Sequence, residues 1–308
     1  MATPAEVFPP QLGTDVDESV QPISARPSVD ADGVWAQQRW ISRTLYWGIH
    51  AACVLVFVVG VSTGDLVLLA ATFWARLFGI TGGYHRYFSH KTYKTSRVFQ
   101  FVLAWLGASS VQKGPLWWAA NHRLHHRKSD QPGDPHSPND GFWYSHTGWI
   151  FDGRWDVTRV DLIEDFNQYP ELRWLNRWHI VPPVVLALLC LWIGGWSGGV
   201  WGFLVSTTLL WHSTYTINSL AHRMGRRRYP THDDSRNSLL LALLTWGEGW
   251  HNNHHFFQGS TRQGFFWWEI DITYYVLRSL QAVGLVWDMR EPPQALINDP
   301  KRRIQAAS

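Results

Sequence analysis

Nine of the chain's fifteen histidines occur in four short groups that could bind metal ions. They are His85, His90, His122, His125, His126, His222, His251, His254 and His255. In the two groups spaced His-x-x-His-His, the offsets of 0, 3 and 4 place all three side chains on one side of a helix. Imidazole is a ligand for divalent iron, zinc, copper and nickel. The sequence therefore predicts a site for more than one metal ion.

The first group has a different spacing. His85 and His90 lie five residues apart, which corresponds to about 140° around an α-helix. They can share a site only if the helix unwinds there or if the site wraps around its end.

The second ring nitrogen of a metal-binding histidine commonly donates a hydrogen bond to a carboxylate. Four acidic residues near the groups are candidates for this role, with a solvated charge or a helix cap as the ordinary alternative. They are Asp130, Asp134, Glu248 and Glu269. We expect the other six histidines to have packing or hydrogen-bonding roles, and these are His50, His136, His146, His179, His212 and His232.

The composition favours a membrane protein. The chain has 21 tryptophans, a residue that favours membrane interfaces, and a formal net charge of only +3. No stripe of Lys and Arg indicates a nucleic-acid partner. Both cysteines, Cys53 and Cys190, lie in apolar runs and predict packing rather than a disulfide.

Long apolar runs must position the histidine groups. Residues 178–222 contain no Asp, Glu, Lys or Arg, which is enough for two membrane spans of about 20 residues each. We predict spans at about 180–194 and 200–218, joined by the glycine-rich turn between them. An earlier pair is predicted at about 45–61 and 66–83. Arg76 interrupts the second of these, so it must snorkel, face the interior, or lie where the helix leaves the membrane; we favour the last.

Neither hairpin turn carries Lys or Arg, whereas the opposite ends of the spans carry many. The bias of positive charge toward the cytoplasm then places both termini and all four histidine groups on the cytoplasmic side. A short apolar helix over 96–111 is predicted at the membrane interface. We predict a disordered tail over 1–34 without signal-peptide character, a central domain over 35–291, and a loose tail over 292–308.

Six segments resemble the acyl-CoA Δ9 (stearoyl-CoA) desaturase family, specifically in the form of its bacterial members, and they follow the family's order. They are residues 82–90 (GGYHRYFSH), 121–126 (NHRLHH), 134–136 (DPH), 142–149 (FWYSHTGW), 218–223 (NSLAHR) and 247–255 (GEGWHNNHH). The chain departs from the animal enzymes at Asn121, Asn252, Asn253 and the loop 128–138. These departures affect residues that would contact the carrier of the acyl chain.

This resemblance implies an all-α integral membrane protein with four transmembrane helices, in two hairpins, under a cytosolic helical cap. It implies two iron ions held by the nine histidines, with Asn218 acting through a bound water. By their offset from the matching motifs, Trp118, Trp211 and Thr214 fall on positions that line a kinked acyl tunnel; ordinary aromatic packing is the alternative.

The implied activity is that of a fatty-acyl desaturase, which places a cis double bond, at Δ9, in a saturated chain. The expected substrate is an acyl-CoA, with dioxygen as oxidant. The His-Pro-Gly-Gly motif of a fused cytochrome domain is absent, so a separate donor is expected, such as a ferredoxin or a b-type cytochrome with its reductase. The alternatives are a histidine-box di-iron lipid hydroxylase, a zinc transporter, and a membrane metal sensor or scaffold without catalysis.

Overall fold

The computed structural model describes residues 42–298. The tail predicted over 1–34 and the last ten residues of the chain lie outside that range. In chain order the helices are α1 (Ser42–Val59), α2 (Thr63–Phe78), α3 (Arg97–Ala108), α4 (Pro115–Lys128), α5 (Phe142–His146), α6 (Glu164–Asn167), α7 (Pro170–Arg177), α8 (Val181–Gly198), α9 (Ser206–Leu220), α10 (Leu239–Leu244), α11 (His251–Phe256), α12 (Ile272–Ala282) and α13 (Gln294–Asn298).

Two π-helical stretches extend these elements. The first, π1 (Gly79–Ser89), continues α2, and the second, π2 (Gly199–Val205), joins α8 to α9. Two short antiparallel strands, β1 (Lys94–Thr95) and β2 (Val286–Trp287), are the only strand pair within residues 42–298.

Three continuous helical stretches in the described part of the chain are long and apolar enough to cross a membrane. They are Ser42–Val59, Thr63–Ser89 and Val181–Leu220. Their outer faces carry large apolar side chains that the protein itself leaves uncovered, such as Phe57 and Trp192, which are 88% and 83% exposed. Such faces suit a lipid environment.

The third stretch reverses direction at Gly195, whose φ of 59° and ψ of −151° break the helix. A Cβ added to Gly199 would lie 2.6 Å from the Leu191 side chain, and one added to Gly202 would lie 3.0 Å from Cys190 Sγ. In a straight helix, residues eight apart are separated by about 12 Å along the axis. The stretch is therefore a hairpin, with its turn inside the predicted glycine-rich segment.

The start of α2 is fixed by a reciprocal cap. Ser62 Oγ accepts a hydrogen bond from the Asp65 amide at 3.2 Å, and the Asp65 carboxylate accepts one from the Ser62 amide at 2.8 Å. This arrangement satisfies two donors that the first turn of a helix leaves free. The break between α1 and α2 lies at residues 60–62, slightly earlier than the break predicted at 62–65.

Arg76 faces the protein interior, which was one of the three possibilities that the sequence allowed. Its side chain is 1% exposed and donates to Ser206 Oγ at 2.5 Å and Thr207 Oγ1 at 2.7 Å on α9. Its Nε donates to Thr72 O at 3.0 Å. Hydroxyl oxygens of α9 and a carbonyl oxygen of α2 itself thus replace water around this charge, as required for an ionic group in an apolar region.

Glycines bring π1 and α3 into close contact. A Cβ on Gly79 would lie 2.6 Å from the Gly107 amide nitrogen, and one on Gly107 would lie 2.2 Å from the Tyr84 ring. Tyr84 is fully buried at this contact. The predicted interfacial helix 96–111 is thus α3, packed through its small residues against the segment that carries the first histidine group.

The remaining chain forms short helices and turns around an aromatic core that includes Phe88, Trp117, Trp155 and Phe166. The segment predicted as a loose tail is ordered at its start. Residues 294–298 form α13, in which Leu296 is 3% exposed and its carbonyl accepts from the Tyr229 hydroxyl at 3.2 Å. Burial of one apolar side chain anchors this stretch, a contact that its charged composition concealed.

Candidate metal centre

All nine histidines of the four groups converge in two adjacent clusters. We call them site A and site B. The residues of site A are His85, His90, His122, His126 and His254, and those of site B are His125, His222, His251 and His255. Within each cluster, one ring nitrogen from every residue lies within 4.8 Å of the others.

The spacing of the nitrogens suits coordination of a metal. In site A, His85 and His254 approach through Nε2 at 3.1 Å, and His90 and His122 through Nε2 at 3.0 Å. In site B, the Nε2 atoms of His222 and His251 are 3.0 Å apart. For a metal–nitrogen bond of about 2.1 Å, two ligands at right angles lie about 3.0 Å apart. Both clusters match that separation.

The π-helix explains how His85 and His90 share a site. The amide of His90 donates to the carbonyl of His85 at 3.2 Å, which is the i to i+5 bond of a π turn. An α-helix would point the two side chains in different directions. The unwinding that the sequence required at this spacing is thus present, and it closes the end of π1.

The two His-x-x-His-His groups divide between the sites in opposite ways. On α4, His122 and His126 belong to site A and His125 to site B. On α11, the member at offset 3, His254, belongs to site A, and the outer two belong to site B. Residues at i and i+4 lie on one helix face, so each helix presents a pair to one cluster and a single histidine to the other.

Four carboxylates accept hydrogen bonds from the second ring nitrogen, Nδ1, of four of these histidines. The pairs are His85 with Glu248, His125 with Asp134 at 2.9 Å, His222 with Asp130 at 2.8 Å, and His255 with Asp233 at 2.5 Å. Each bond fixes the tautomer of its imidazole and turns Nε2 toward the cluster. Three of the four pairs belong to site B.

The sequence predicted three of these four carboxylates as partners of the histidines, and it did not predict the fourth, Asp233. Glu269, the remaining candidate, pairs instead with Arg228 and accepts from Asn253 Nδ2 at 2.9 Å. Asp233 was missed because no motif spacing links it to His255; its only signal was its place in a polar segment between two histidine groups. The arginine next to the first histidine, Arg86, also belongs here, since it donates to Glu248 at 3.1 Å and Asp271 at 2.9 Å.

Buried nitrogens without partners show that site B fits a metal ion. His125 and His255 each donate a hydrogen bond from Nδ1 to a carboxylate. Their buried Nε2 atoms have no hydrogen-bonding partner within residues 42–298. A buried polar atom in this condition costs about 1–3 kcal/mol. A metal ion would satisfy such lone pairs, and the donor set of neutral imidazoles suits iron or another transition metal.

The electrostatics favour neutral imidazoles at several of these histidines and ionised carboxylates beside them. His125 is an exception, because burial alone would lower its pKa but the Asp134 carboxylate raises it. Burial, together with the neighbouring imidazoles, holds the pKa of His126 and of His254 well below the ordinary value. Burial alone would raise the pKa of Asp134, but the adjacent His125 imidazole lowers it far below the usual range. Metal binding requires neutral imidazole, so His126 and His254 are ready to bind at neutral pH.

Residues 63–288 match the protein family described as fatty acid desaturase.

The chain belongs to the fatty acid desaturase family.

Its relatives in this family differ in substrate. The chain is 36% identical over 262 residues to an sn-1 stearoyl-lipid 9-desaturase of Anabaena variabilis, covering 82% of this chain and 94% of the relative. It is 37% identical over 267 residues to an sn-2 palmitoyl-lipid 9-desaturase of Nostoc sp. (strain 36), covering 84% and 93%. It is 34% identical over 272 residues to an acyl-CoA 5-desaturase of Anemone leveillei, covering 85% and 82%.

These comparisons confirm the resemblance at the level of the family and of a membrane-bound oxidoreductase acting on fatty-acyl chains. The narrower resemblance to the acyl-CoA Δ9 type remains a prediction, because the relatives include acyl-lipid enzymes and a 5-desaturase.

Two of the three residues predicted for the acyl tunnel, Trp118 and Thr214, are connected by hydrogen bonds through Gln112 beside site A. Trp118 stacks on His122 with ring centroids 5.0 Å apart. Gln112 accepts from Trp118 Nε1 at 3.3 Å and donates to Thr214 Oγ1 at 2.9 Å. Gln112 was missed because it lies outside every motif. The third residue, Trp211, donates instead to the Ser110 carbonyl at 2.9 Å.

The segment that carries Gln112 is held in an unusual backbone conformation. Val111 and Lys113, on either side of it, have φ of 60° and 63°, which costs a residue with a side chain about 1–3 kcal/mol. Asn218, predicted to act through water, is half-buried on α9, one turn before His222.

Proposed function

We propose that this protein is a di-iron fatty-acyl desaturase that inserts a cis double bond at Δ9 in a saturated chain. The nine histidines hold one iron in site A and one in site B, with Asn218 completing site B through water. The observation that carries this proposal is the convergence of all nine histidines, with nitrogen separations near 3.0 Å, in a chain of the desaturase family. Iron bound there would supply the oxidant, formed with dioxygen, that removes hydrogen from an unactivated alkyl chain.

The protein's own side chains orient and protect this centre. The carboxylates of Glu248, Asp134, Asp130 and Asp233 keep the imidazoles in one tautomer. All-imidazole coordination leaves less negative charge on the metal than carboxylate ligands would. Arg86 holds Glu248 in place through its bond at 3.1 Å.

Trp118, Gln112 and Thr214 set the path of the acyl chain in this proposal. The indole packs directly on His122, so a chain that passes along it comes close to site A. The hydrogen bonds of Gln112 fix the indole relative to α9. A rigid wall matters because a small misplacement of two adjacent methylenes changes the bond position or lowers the rate steeply.

The proposal includes a topology. The two arms of Val181–Leu220 and the helices Ser42–Val59 and Thr63–Ser89 form four spans, with both termini and the metal centre on the cytoplasmic side. The reversal at Gly195 supports the count of four. The absence of Lys and Arg from both hairpin turns supports the orientation. Two electrons come from a separate donor, such as a ferredoxin or a b-type cytochrome with its reductase.

The acyl carrier is the most specific part of the proposal. We propose acyl-CoA, following the sequence resemblance, while the relatives' names make acyl-lipid the substrate to test beside it. The rival lipid hydroxylase would share the metal centre and differ in its product. Every relative described above is named a desaturase, which favours a double bond over a hydroxyl group.

The fatty acids of cells that express the protein provide the test. Gas chromatography–mass spectrometry with double bonds located should show a new Δ9 monoene with the wild type and none with His125→Ala. A hydroxylated chain would replace the proposal by the rival. In a purified system with an electron donor, stearoyl-CoA and a stearoyl phospholipid are then compared; turnover of the phospholipid alone would overturn the choice of acyl-CoA.

A further inference from the structure

A short leucine-rich helix leaves its apolar face uncovered. Helix α10 buries Leu241 and Ala242 against the protein, each only 1% exposed. Its four other residues are between 44% and 59% exposed, and we call them the leucine face; they are Leu239, Leu240, Leu243 and Leu244. A contiguous exposed apolar face marks a contact with another protein or with a membrane.

Charged residues stop where this helix begins. Residues 237–247 contain no Asp, Glu, Lys or Arg. Arg236 directly precedes this stretch, and the exposed Arg226 lies beside it, because the Arg226 amide donates to the Asn237 carbonyl at 2.9 Å. Helices that lie in a membrane interface combine an apolar face with lysines or arginines, which suit anionic headgroups. The charge pattern around α10 therefore fits a membrane interface.

One end of α10 is attached to a proposed membrane span. Ser213 Oγ on α9 donates to the Leu244 carbonyl at 2.8 Å. Ser213 lies one turn after Leu209, which is 48% exposed on the same helix. Residues four apart share a helix face, so α10 ends against the side of α9 that carries exposed apolar side chains.

The residue pair after α10 contacts a second span in the same way. The indole of Trp246 stacks on that of Trp74 in α2, with ring centroids 4.9 Å apart and planes 11° from parallel. Trp74 is itself 39% exposed. Tryptophan favours the boundary between hydrocarbon and headgroups. The leucine face therefore continues the apolar surfaces of two spans.

The depth of these contacts agrees with an interfacial helix. The span proposed over 200–218 ends five residues after Ser213, which corresponds to about 7.5 Å along a helix. Interfacial helices bury their apolar face about 5–10 Å into the boundary between headgroups and acyl chains. The attachment at Ser213 thus places the end of α10 at the depth of the leaflet instead of above it in water.

Helix α10 is also joined closely to the segment that leads into site B. The Ser238 amide donates to the Gly249 carbonyl at 2.8 Å, and the Gly247 amide donates to the Ala242 carbonyl at 2.8 Å. A Cβ added to Gly249 would lie 2.1 Å from the Ala242 amide nitrogen. Because α11 begins at His251, two residues later, contact of α10 with the membrane acts next to a member of site B.

We propose that α10 lies in the cytoplasmic leaflet of the membrane, with the leucine face against lipid acyl chains. Lipid is the occupant because this face is continuous with the exposed apolar surfaces of α2 and α9, and because the arginines at its start suit headgroups. The inference rests on the spans of the proposed function and is independent of the reaction.

Fluorescence quenching in lipid bilayers tests the depth of the leucine face. A polarity-sensitive fluorophore is attached to Leu240→Cys or, separately, to Leu243→Cys, in the full-length chain carrying Cys53→Ala and Cys190→Ala. Both leucines are already half-exposed, so the fold should persist in each variant. The protein is reconstituted in phosphatidylcholine bilayers whose lipids carry a nitroxide on the acyl chain near the ester. Iodide is the quencher from the water phase.

Two reference positions define the scale of quenching. Phe57→Cys replaces a residue of α1 that is 88% exposed near the end of a span, and it should report lipid. Asp161→Cys replaces a charged residue with a 56% exposed side chain, and it should report water. We expect the nitroxide lipid to quench at Leu240→Cys and Leu243→Cys as it does at Phe57→Cys. Iodide should quench at Asp161→Cys and lose its effect at the two leucine positions.

Other outcomes overturn the inference in distinguishable ways. Iodide quenching at both leucine positions equal to that at Asp161→Cys would place α10 in water. Protection from iodide and from the nitroxide lipid together would show that a second copy or another segment of the chain covers the face. Either result, with Phe57→Cys still quenched by lipid, leaves the spans and the reaction intact. Absence of lipid quenching at Phe57→Cys would overturn the proposed spans and the inference with them.

Discussion

Replacement of Asp233 by Asn should weaken site B selectively. Asp233 Oδ2 accepts from His255 Nδ1 at 2.5 Å, while Oδ1 accepts from the Ser235 amide at 3.0 Å. Burial alone would raise the pKa of Asp233, but the adjacent His255 imidazole lowers it well below the usual range, so the carboxylate is ionised. Asparagine has one acceptor oxygen, and one of these two donors must therefore lose its partner.

Two estimates of the size of this effect agree. An unsatisfied buried donor costs about 1–3 kcal/mol. Loss of a carboxylate that orients a metal-bound histidine lowers metal affinity about 10–100-fold, which is about 1.4–2.8 kcal/mol because each tenfold change corresponds to about 1.4 kcal/mol. We expect the iron of site B to be released at a chelator concentration about 10–100-fold lower than in the wild type.

The assay is a chelator titration of the iron-loaded protein, with residual iron per chain measured by mass spectrometry. The wild type should release two irons, and Asp233→Asn should shift only the step that belongs to site B. The surface variant Asp161→Asn, whose side chain is 56% exposed, is the control. An unchanged titration, or an equal shift of both steps, would refute the assignment of Asp233 to site B.

Three further variants test other parts of the account. Trp118→Ala should change the chain-length preference or bond position in the product profile at unchanged iron content, because the indole packs on His122; an unchanged profile would exclude Trp118 from the tunnel. Arg76→Met should lower the melting temperature, since it leaves the buried Thr207 hydroxyl without its donor at roughly 1–3 kcal/mol, while Ser206 keeps Thr72 as a partner; equal stability would contradict this. Gly107→Ala should destabilise by about 1–3 kcal/mol, because the new methyl would lie 2.2 Å from Tyr84, whereas Gly48→Ala, with open space around it, serves as control.

The spacing of the histidines predicted which residues meet, but it did not predict how they divide. Offsets on a helix specify a shared face, and His122, His125 and His126 do share one. Their division between two sites depends on where α4 and α11 lie relative to each other. That relation arises from tertiary packing, which no local pattern encodes.

The first histidine group shows how much of the structure can be predicted from local helix geometry. The five-residue spacing of His85 and His90 required a departure from the α-helix, and the structure contains a π-helix there. The sequence left open whether the helix would unwind or end. The π-helix occurs together with a close contact between Gly79 and Gly107 of α3. These two residues are 28 positions apart in the chain.

Long-range polar partners were the hardest features to predict. His255 pairs with Asp233 across 22 residues, and Arg76 meets Ser206 across 130 residues. Hydrophobic periodicity locates buried faces, yet it contains no information on which polar groups meet inside them. The hydrogen bonds of His212 with His50 and His146 agree with the hydrogen-bonding roles expected for these residues, but their partners could not be predicted for the same reason.

The iron content of the purified protein tests the central claim most directly. After loading with ferrous iron and removal of the excess, the wild type should retain two irons per chain, and His125→Ala should retain one, held in site A. Retention of two irons by His125→Ala, or retention of none by the folded wild type, would contradict the assignment of the nine histidines to two iron sites.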